Sequence, residues 1–381
     1  GVAGGASCAA RLRRLDEKAE ILMVERGPYV SYANCGLPYH VGGVIPQESS
    51  LLVANEQVFR GLYGIDVRTN CEAVAIDRKK KTVDLKNVET GEVTTESYDK
   101  LVLSPGAASV HPPLPGIDLP GIFHVRTVPD ARTIREWVAG GTEVWAGMFK
   151  YSGIQYVKPT TRAVVIGGGF IGLETAENLV HLGFEVTLIQ KLPQVLGPLD
   201  PEVACLVEEH VKRNGVRVVL NDAAAGFAQL DGGAIEVTTR SGKAYPADIV
   251  ILAIGVRPDT TLAKAAGLEI GERGGIRVDE HMRTSDPDIF AVGDAIEVKD
   301  VVTGEWSLVA LAGPANRQGR IAADVIVGRD SRFRGTQGTA IIGLFGGAAA
   351  WTGVNERTLK RLGDDDYEKV YIFPNSHAGY Y

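Results

Sequence analysis

A single cysteine in the segment Ser31-Tyr-Ala-Asn-Cys35-Gly-Leu-Pro-Tyr39 has the surroundings of a reactive thiol. Cys35 lies in a predicted loop, and the residues Gly36-Leu37-Pro38 that follow it indicate that a helix begins there. A thiol near a helix N-terminus has a lowered pKa, and its thiolate is the nucleophile of thiol–disulfide exchange. The segment therefore predicts redox chemistry at Cys35, with a buried and inert cysteine as the usual alternative for this residue type.

The position that would supply a second redox cysteine is occupied by a histidine. An internal redox disulfide commonly has the spacing C-x4-C, and the chain carries His40 where the second cysteine would stand. Cys35 is therefore expected to cycle as a mixed disulfide, a persulfide or a sulfenic acid. We expect a surface or packing role for His40 rather than general acid catalysis. Cys8, within a predicted helix, is expected to pack, and no motif supports a role for Cys71 or Cys205.

A complete G-x-G-x-x-G loop is formed by Gly167, Gly169 and Gly172. An apolar strand, Ala163–Ile166, precedes the loop, and a predicted helix, Leu173–Leu182, follows it. Glycines at these positions let the backbone approach a pyrophosphate, which then lies at the N-terminus of the helix. Strand, loop and helix together predict a dinucleotide site, against the alternative of a tight turn without a ligand.

A second, partial glycine turn stands at the start of the chain. Gly4 and Gly5 are followed by a predicted helix and a short apolar strand that ends at Glu25. A carboxylate in that position binds the ribose hydroxyls of a dinucleotide, although Glu25 could also be a solvated strand terminus. The matching position of the other unit carries Gln190 and then Lys191, which leaves the choice between NADH and NADPH open.

The elements that must hold these residues predict an α/β fold with several domains. A chain of 381 residues is too long for one ordinary domain. The order of strands and helices indicates a first dinucleotide-binding domain in two parts, 1–120 and 247–332, around a second one at 121–246. We expect residues 333–381 to begin a third, truncated unit, and 138–162 to be a surface insertion.

Composition and charge exclude several other classes of protein. The net charge of −7 leaves no basic footprint for nucleic acid. No apolar run approaches the ~18 residues that a membrane span needs, and no signal peptide is visible. Four cysteines without a C-x-x-C pair argue against structural disulfides and zinc, and favour a reducing, cytoplasmic setting. Because Gly1 falls inside a glycine turn and Tyr381 follows no stop signal, we expect a fragment truncated at both ends.

The chain resembles the single-cysteine branch of the FAD- and NAD(P)-linked disulfide reductases, and among them chiefly the coenzyme A disulfide reductases and the NADH-dependent CoA-persulfide reductases. The most specific shared segment is S-[FY]-A-N-C-x-L-P-Y around Cys35. The other segments that carry the resemblance span nearly the whole chain: Gly1–Ser7, Leu103–Ala107, Val165–Glu174, Ala253–Asp259, Thr284–Asp294, Leu311–Arg320 and Ser376–Tyr381.

The resemblance implies two Rossmann-like dinucleotide-binding domains, the first for FAD and the second for NADH or NADPH, with an α+β dimerisation domain at the C-terminus. It implies homodimers, and a redox-active Cys35 beside the flavin. The FAD residues it implies are Gly4, Gly5, Glu25, Arg26, Gly106, Asp294 and Ala312. Those for NAD(P) are Gly167, Gly169, Phe170, Gly172, Gln190, Lys191 and Gly255. Phe170 resembles an aromatic gate that moves aside for the nicotinamide, and the helix near Pro314 would point its N-terminal amides at the flavin.

The implied substrate is coenzyme A disulfide or a CoA persulfide. The residues that would contact it are Ser7, Arg11, Arg14, Ser31, Asn34, Tyr380 and Tyr381, of which either tyrosine would reach the partner subunit's site. The i, i+4, i+7 spacing of Ser7, Arg11 and Arg14 independently places these three on one helix face.

Two alternatives to a disulfide or persulfide reductase stay open. The first is an NADH oxidase or peroxidase that works through a Cys35 sulfenic acid. The absence of histidine from the first glycine turn, at Ala3 and its neighbours, weakens that alternative. The second is a redox-sensing flavoprotein, against which stands a complete nicotinamide loop in series with a thiol.

Overall fold

The computed structural model describes residues 1–139, 161–374 and 380. Nearly all of the surface insertion predicted at 138–162 lies outside these residues, as does Tyr381. Within the described ranges, no helix is both long and apolar enough to cross a membrane.

The helices of the described residues are α1 Gly4–Leu15, α2 Leu37–Val41, α3 Glu56–Tyr63, α4 Val128–Val138, α5 Phe170–His181, α6 Pro201–Arg213, α7 Thr261–Ala265, α8 Ala312–Ile326 and α9 Glu356–Leu362. The strands up to the second glycine loop are β1 Leu22–Val24, β2 Ser31–Tyr32, β3 Leu52–Ala54, β4 Asp66–Arg68, β5 Cys71–Asp77, β6 Thr82–Asn87, β7 Val93–Ser97, β8 Leu101–Leu103, β9 Ala107–Ser109, β10 Ile122–Phe123 and β11 Arg162–Ile166. The later strands are β12 Glu185–Ile189, β13 Arg217–Val219, β14 Ala224–Gln229, β15 Ile235–Thr239, β16 Ala244–Ala247, β17 Ile249–Leu252, β18 Val256–Pro258, β19 Ile276–Arg277, β20 Ile289–Ala291, β21 Ile296–Lys299, β22 Trp306–Leu308, β23 Ala340–Leu344 and β24 Gly347–Trp351.

The second nucleotide fold is built on a five-stranded sheet with the order β10-β17-β11-β12-β13. All of its neighbouring strands run parallel. Every residue of β17 and all but the first of β11 are buried, as expected where helices cover both faces of a parallel sheet. This arrangement confirms the strand predicted at Ala163–Ile166.

The first nucleotide fold joins segments that are far apart in the sequence. Strand β8 pairs in parallel with β20, and α1 packs along α8. The two helices approach so closely at Gly319 that a Cβ there would lie 2.2 Å from the carbonyl oxygen of Gly4. Glycine is therefore required at that crossing. An antiparallel sheet, β5-β6-β7, completes this part of the fold.

Two connections link the nucleotide folds to each other and to the Cys35 segment. The outgoing strand β9 pairs antiparallel with the returning strand β18, so that both crossings run side by side. Helix α2, directly after Cys35, packs against α4 and α5. Its Leu37 and Val41 belong to the same buried core as Leu173 of α5. The segment around Cys35 is thus anchored on the second nucleotide fold.

The C-terminal part of the described chain forms the hairpin β23–β24 and helix α9. Ile342 and Leu344 of the hairpin are buried in the core that also contains Leu173 and Leu179 of α5. The hairpin therefore packs directly on the helix that follows the second glycine loop.

Candidate active site

Cys35 lies on a single 3-10 turn, Asn34–Gly36, immediately before α2. A backbone hydrogen bond holds the residue before the turn in place, because the Ala33 amide donates to the carbonyl of Leu51 at 2.8 Å. Gly36 is buried, and a Cβ there would lie 2.7 Å from Cδ2 of Leu51. The tightly seated turn leaves Cys35 itself exposed.

The pKa of the Cys35 thiol is raised, and the lowered value expected from its sequence context is wrong for this structure. Partial burial of the thiol is the largest cause, and the carboxylates of Glu174 and Asp294 add to it. Backbone hydrogen bonding at the turn lowers the pKa, but by less. Helix α2 has only five residues, so its N-terminus offers too small a dipole to outweigh two nearby negative charges.

Those two carboxylates locate the thiol between the nucleotide folds. Glu174 lies on α5, which follows the second glycine loop, whereas Asp294 lies directly after β20 of the first fold. Both are close enough to shift the titration of Cys35. The exposed thiol therefore lies where elements of the two folds converge.

Glu174 forms a pair with Tyr39 beside the thiol. The Tyr39 hydroxyl donates to Oε1 of Glu174 at 3.4 Å. Burial, with a smaller contribution from Glu177, raises the pKa of Glu174 to about 7. Burial and the same carboxylates raise the pKa of Tyr39 to about 12. Glu174 therefore changes its charge near neutral pH, while Tyr39 keeps its proton.

Replacement of Glu174 by glutamine is expected to make Cys35 more reactive above pH 7. The wild-type carboxylate is charged there and opposes the thiolate, whereas below its pKa of about 7 it is already neutral. Alkylation of Cys35 at pH 8 should accelerate roughly three- to tenfold, as a screened charge repulsion of about 0.7–1.4 kcal/mol gives. The rate is measured with iodoacetamide by mass spectrometry of the Cys35 peptide.

The control for this experiment is Glu174→Asp, which keeps the charge. At pH 5.5 all three proteins should react alike. Equal rates at pH 8 for the wild type and Glu174→Gln would contradict the electrostatic role of this residue.

The second glycine loop has the geometry that its sequence pattern requires. Gly167 has a φ of +111°, and a Cβ there would lie 2.2 Å from the carbonyl oxygen of Ala253. A Cβ at Gly172 would lie 1.9 Å from the carbonyl oxygen of Gly167. Gly169, by contrast, is exposed and has open space where a Cβ would stand. Its backbone is thus free to meet a ligand at the start of α5.

The remaining predicted NAD(P) residues surround this loop. Gln190 donates through Nε2 to the carbonyl of Gln194 at 3.2 Å, and Lys191 is exposed. Gly255 is exposed with a φ of +110°. Phe170, the first residue of α5, is half-buried.

Among the described helices longer than five residues, three have N-termini that suit anionic or electron-rich groups. Helices α1, α5 and α8 have no acidic residue in their first turns and no side chain that caps them. Helices α3, α4, α6 and α9 each carry an acidic residue there. Uncapped N–H groups without a repelling carboxylate favour pyrophosphate. Ala312, the first residue of α8, is exposed, and α8 belongs to the first nucleotide fold because it packs along α1. These residues fit two dinucleotides.

The predicted FAD residues lie at the edge of the first fold. The Glu25 carboxylate accepts a hydrogen bond from the backbone nitrogen of Gly27 at 3.0 Å. Arg26 is exposed and lies 3.5 Å from Glu72. Gly4 and Gly5 start α1, and a Cβ at either would collide with a neighbouring side chain.

Arg126 joins several of these elements, and its sequence context gave no signal of this. Its Nε donates to the carbonyl of Ala107 at 2.8 Å, and its Nη2 lies 3.9 Å from Asp294. A Cβ at Gly106 would lie 3.1 Å from the same guanidinium. Burial raises the pKa of Asp294, and Arg126 opposes that rise.

The predicted substrate residues lie in two places. On α1, the Ser7 hydroxyl donates to Oδ1 of Asn316 at 2.6 Å, and Arg11 pairs with Asp324 at 2.9 Å. Arg14 is exposed. In the Cys35 segment, Ser31 is buried, with its hydroxyl donating to the carbonyl of Val2 at 3.4 Å. Asn34 is half-buried beside Cys35, and Tyr380 is exposed.

Cys8, Cys71 and His40 are buried, whereas Cys205 is exposed. Burial raises the pKa of Cys8 to about 12, which agrees with a packing role. Cys71 is buried and Cys205 is exposed. His40 is buried, and its Nδ1 contacts the carbonyl of Ile45 at 2.8 Å.

Comparison with known proteins identifies the family of the chain. The family model described as Pyridine nucleotide-disulphide oxidoreductase matches residues 1–319. The coenzyme A disulfide reductase of Staphylococcus epidermidis is 31% identical over 385 aligned positions, which cover 100% of this chain and 81% of that protein.

Solved structures of similar proteins share the fold over nearly the whole chain. Reduced CoADR-RHD of Bacillus anthracis is 47% identical with a TM-score of 0.91, and the match covers 100% of this chain and 65% of that one. The NAD-dependent persulfide reductase from A. fulgidus is 39% identical with a TM-score of 0.88, over 95% of this chain and 64% of that one. The chain thus spans about two thirds of the length of these two proteins.

Proposed function

The chain belongs to the pyridine nucleotide-disulphide oxidoreductase family, which depends on FAD and NAD(P)H, and from this membership we propose that it reduces coenzyme A disulfide or a CoA persulfide through Cys35. The observation that carries the proposal is the exposed Cys35 thiol between Glu174 of one nucleotide fold and Asp294 of the other. The names of two similar proteins, a coenzyme A disulfide reductase and a persulfide reductase, support this substrate class.

The cofactors have residues that suit them. We assign FAD to the first glycine turn with Glu25 and Asp294, and the nicotinamide dinucleotide to the loop of Gly167, Gly169 and Gly172. A flavin held there would supply the chemistry that couples hydride transfer from NAD(P)H to the two-electron reduction of a disulfide. The uncapped amides of α8 favour negative charge at the first site.

Cys35 carries the sulfur chemistry. Its thiolate attacks one sulfur of the substrate disulfide, the substrate S–S bond breaks, and a mixed disulfide with Cys35 forms as one thiolate leaves. With a persulfide as substrate, the leaving group is hydrosulfide. Reduction of the mixed disulfide takes two electrons, which NAD(P)H supplies by way of the flavin, and one proton. It breaks the S–S bond to Cys35, releases the second thiol and restores the Cys35 thiolate.

Glu174 and Tyr39 hold the protons beside this sulfur. The raised pKa of Cys35 means that its proton must go to a nearby base before attack. With a pKa of about 7, Glu174 can accept that proton and later return one to a leaving thiolate. The Tyr39 hydroxyl, bonded to Glu174 at 3.4 Å, orients the carboxylate.

Recognition of coenzyme A is assigned to α1 and to the Cys35 segment. Arg14 is exposed on α1 and provides a cation for the phosphates of the substrate. Ser7 and Arg11 lie on the face of α1 that meets α8, where Asn316 and Asp324 orient them. Ser31 and Asn34 would contact the arm that leads to the reacting sulfur, with Tyr380 or Tyr381 of a second subunit opposite.

Two further properties accompany this function. We propose a homodimer, as the resemblance to the single-cysteine disulfide reductases implies, with the tyrosines near the C-terminus at the partner's site. We also propose a cytoplasmic location, since the four cysteines of the chain are free in the structure, which suits a reducing compartment.

Anaerobic steady-state assays test the substrate class. We expect the FAD-loaded protein to oxidise NAD(P)H with CoA disulfide or CoA persulfide in the absence of oxygen, and much more slowly with glutathione disulfide. Each substrate is measured with both NADH and NADPH. Turnover that requires oxygen or peroxide would instead favour an oxidase or peroxidase that works through a Cys35 sulfenic acid.

A further inference from the structure

The ring of Phe170 is stacked on the ring of Trp351. Their centroids lie 5.0 Å apart with an interplanar angle of 28°. Phe170 begins α5, directly after Gly169, whereas Trp351 ends β24 of the C-terminal hairpin. Both rings are only partly buried. The contact thus joins the nucleotide loop to a part of the chain that lies outside both nucleotide folds.

The hairpin that carries Trp351 is firmly attached to α5. The Phe345 amide donates to Oε1 of Glu177 at 2.6 Å, and the carbonyl of Leu344 contacts Nε2 of His210 at 3.1 Å. The Phe345 ring packs edge-on against His181, with centroids 5.7 Å apart. The position of Trp351 is therefore set by the contacts of its hairpin with α5 and α6, independently of its contact with Phe170.

Phe170 lies on α5 between the glycine loop and Glu174. Residues four apart on a helix share a face, so Phe170 is on the same face as Glu174, which affects the titration of Cys35. A dinucleotide whose pyrophosphate meets Gly169 must extend its nicotinamide end past Phe170 to approach the Cys35 side. The ring must therefore be displaced for productive binding.

We propose that Trp351 is a positioning residue that holds Phe170 across the nicotinamide approach and thereby sets the apparent affinity for NAD(P)H. The inference rests on the proposed function only in assigning a nicotinamide dinucleotide to the Gly167 loop. It is independent of the sulfur substrate. Displacement of Phe170 breaks a stacked aromatic pair, and the free energy of that contact is subtracted from the binding of the dinucleotide.

The test compares Trp351→Leu, which keeps apolar bulk but removes the ring, with Trp351→Phe, which keeps a ring for stacking. NAD(P)H-dependent reduction of ferricyanide by the FAD-loaded protein is measured, because this reaction does not use the Cys35 thiol. For Trp351→Leu, the KM for NAD(P)H should fall roughly two- to tenfold, the range expected for loss of one aromatic pair. The kcat should stay unchanged, and Trp351→Phe should retain most of the wild-type KM.

Ile341→Ala is the matched control, since it removes an exposed apolar side chain of the same hairpin and leaves the anchoring contacts on α5 in place. Its KM for NAD(P)H should equal that of the wild type. An unchanged or raised KM in Trp351→Leu would overturn the proposal, as would an equal fall in Ile341→Ala. If ferricyanide reduction behaves as expected while no CoA substrate is turned over, the proposed function fails and this inference stands.

Discussion

Replacement of Cys35 by serine is expected to abolish the reduction of CoA disulfide and CoA persulfide. A serine hydroxyl is far less nucleophilic than a thiolate and cannot form a mixed disulfide that is later reduced. The kcat should fall by about 10³-fold or more, as is typical for removal of a catalytic nucleophile. Turnover is measured anaerobically with saturating NAD(P)H.

The Cys35→Ser protein should still bind FAD and still reduce ferricyanide with NAD(P)H. The surrounding turn is held by the backbone and by Gly36 rather than by the sulfur, so the fold should not change. Cys205→Ser is the control for the loss of an exposed cysteine at a distance, and it should keep full activity. Residual disulfide turnover near the wild-type rate in Cys35→Ser would remove the central claim.

Replacement of Gly169 by alanine should raise the KM for NAD(P)H about 10- to 100-fold without loss of stability, because a displacement of roughly 1 Å at a binding site can cost that much. Apart from Gly169 itself and its neighbours in the chain, no described protein atom lies within 4 Å of a Cβ at this position. The backbone there has a φ of −87°, which alanine adopts freely. A methyl group would therefore meet only the pyrophosphate. Ferricyanide reduction gives the KM, and thermal unfolding reports stability.

Gly197→Ala is the matched control, since it too has open space around its Cβ and belongs to the same fold. It should leave both the KM and the unfolding temperature unchanged. Should Gly169→Ala bind NAD(P)H as tightly as the wild type, the dinucleotide does not approach α5 at this loop.

Local patterns in the sequence were enough to predict the second nucleotide fold. Continuous apolar strands predict a sheet covered on both faces, and the glycines between β11 and α5 predict the tight turn that connects them. The structure confirms the strands, and it shows why Gly167 cannot be replaced by a residue with a side chain, since the Ala253 carbonyl fills that space. The apolar strands and the glycine pattern are both signals from residues that are close together in the sequence.

Long-range electrostatics could not be predicted in the same way. The expected low pKa of Cys35 relied on the start of α2, which is adjacent in sequence. The raised pKa comes from Glu174 and Asp294, which are adjacent only in space. One clue was available for Glu174, because it is the second residue of the helix predicted at Leu173–Leu182, directly after the glycine loop.

Contacts between separate segments were missed for the same reason. Neither Arg126, which reaches both Ala107 and Asp294, nor Trp351, which stacks on Phe170, carries a motif. The pairing of Arg11 with Asp324 shows that a basic helix face can be partly committed to the protein itself. The spacing of Ser7, Arg11 and Arg14 predicted that they share one face of α1. It could not predict that α8 would pack against that face.

The pairing of β8 with β20 has a consequence for biosynthesis. Strand β8, Leu101–Leu103, can pair only after its partner strand Ile289–Ala291 has been synthesised. Helix α1 is synthesised earlier than β8, and its partner α8 later than β20. At a translation rate of about 5–20 residues per second, β8 remains without its partner for roughly 10–40 s while the inserted fold emerges and folds. The nascent first fold thus exposes an unpaired strand edge during that interval, and the ribosome-bound chain is most in need of a chaperone then.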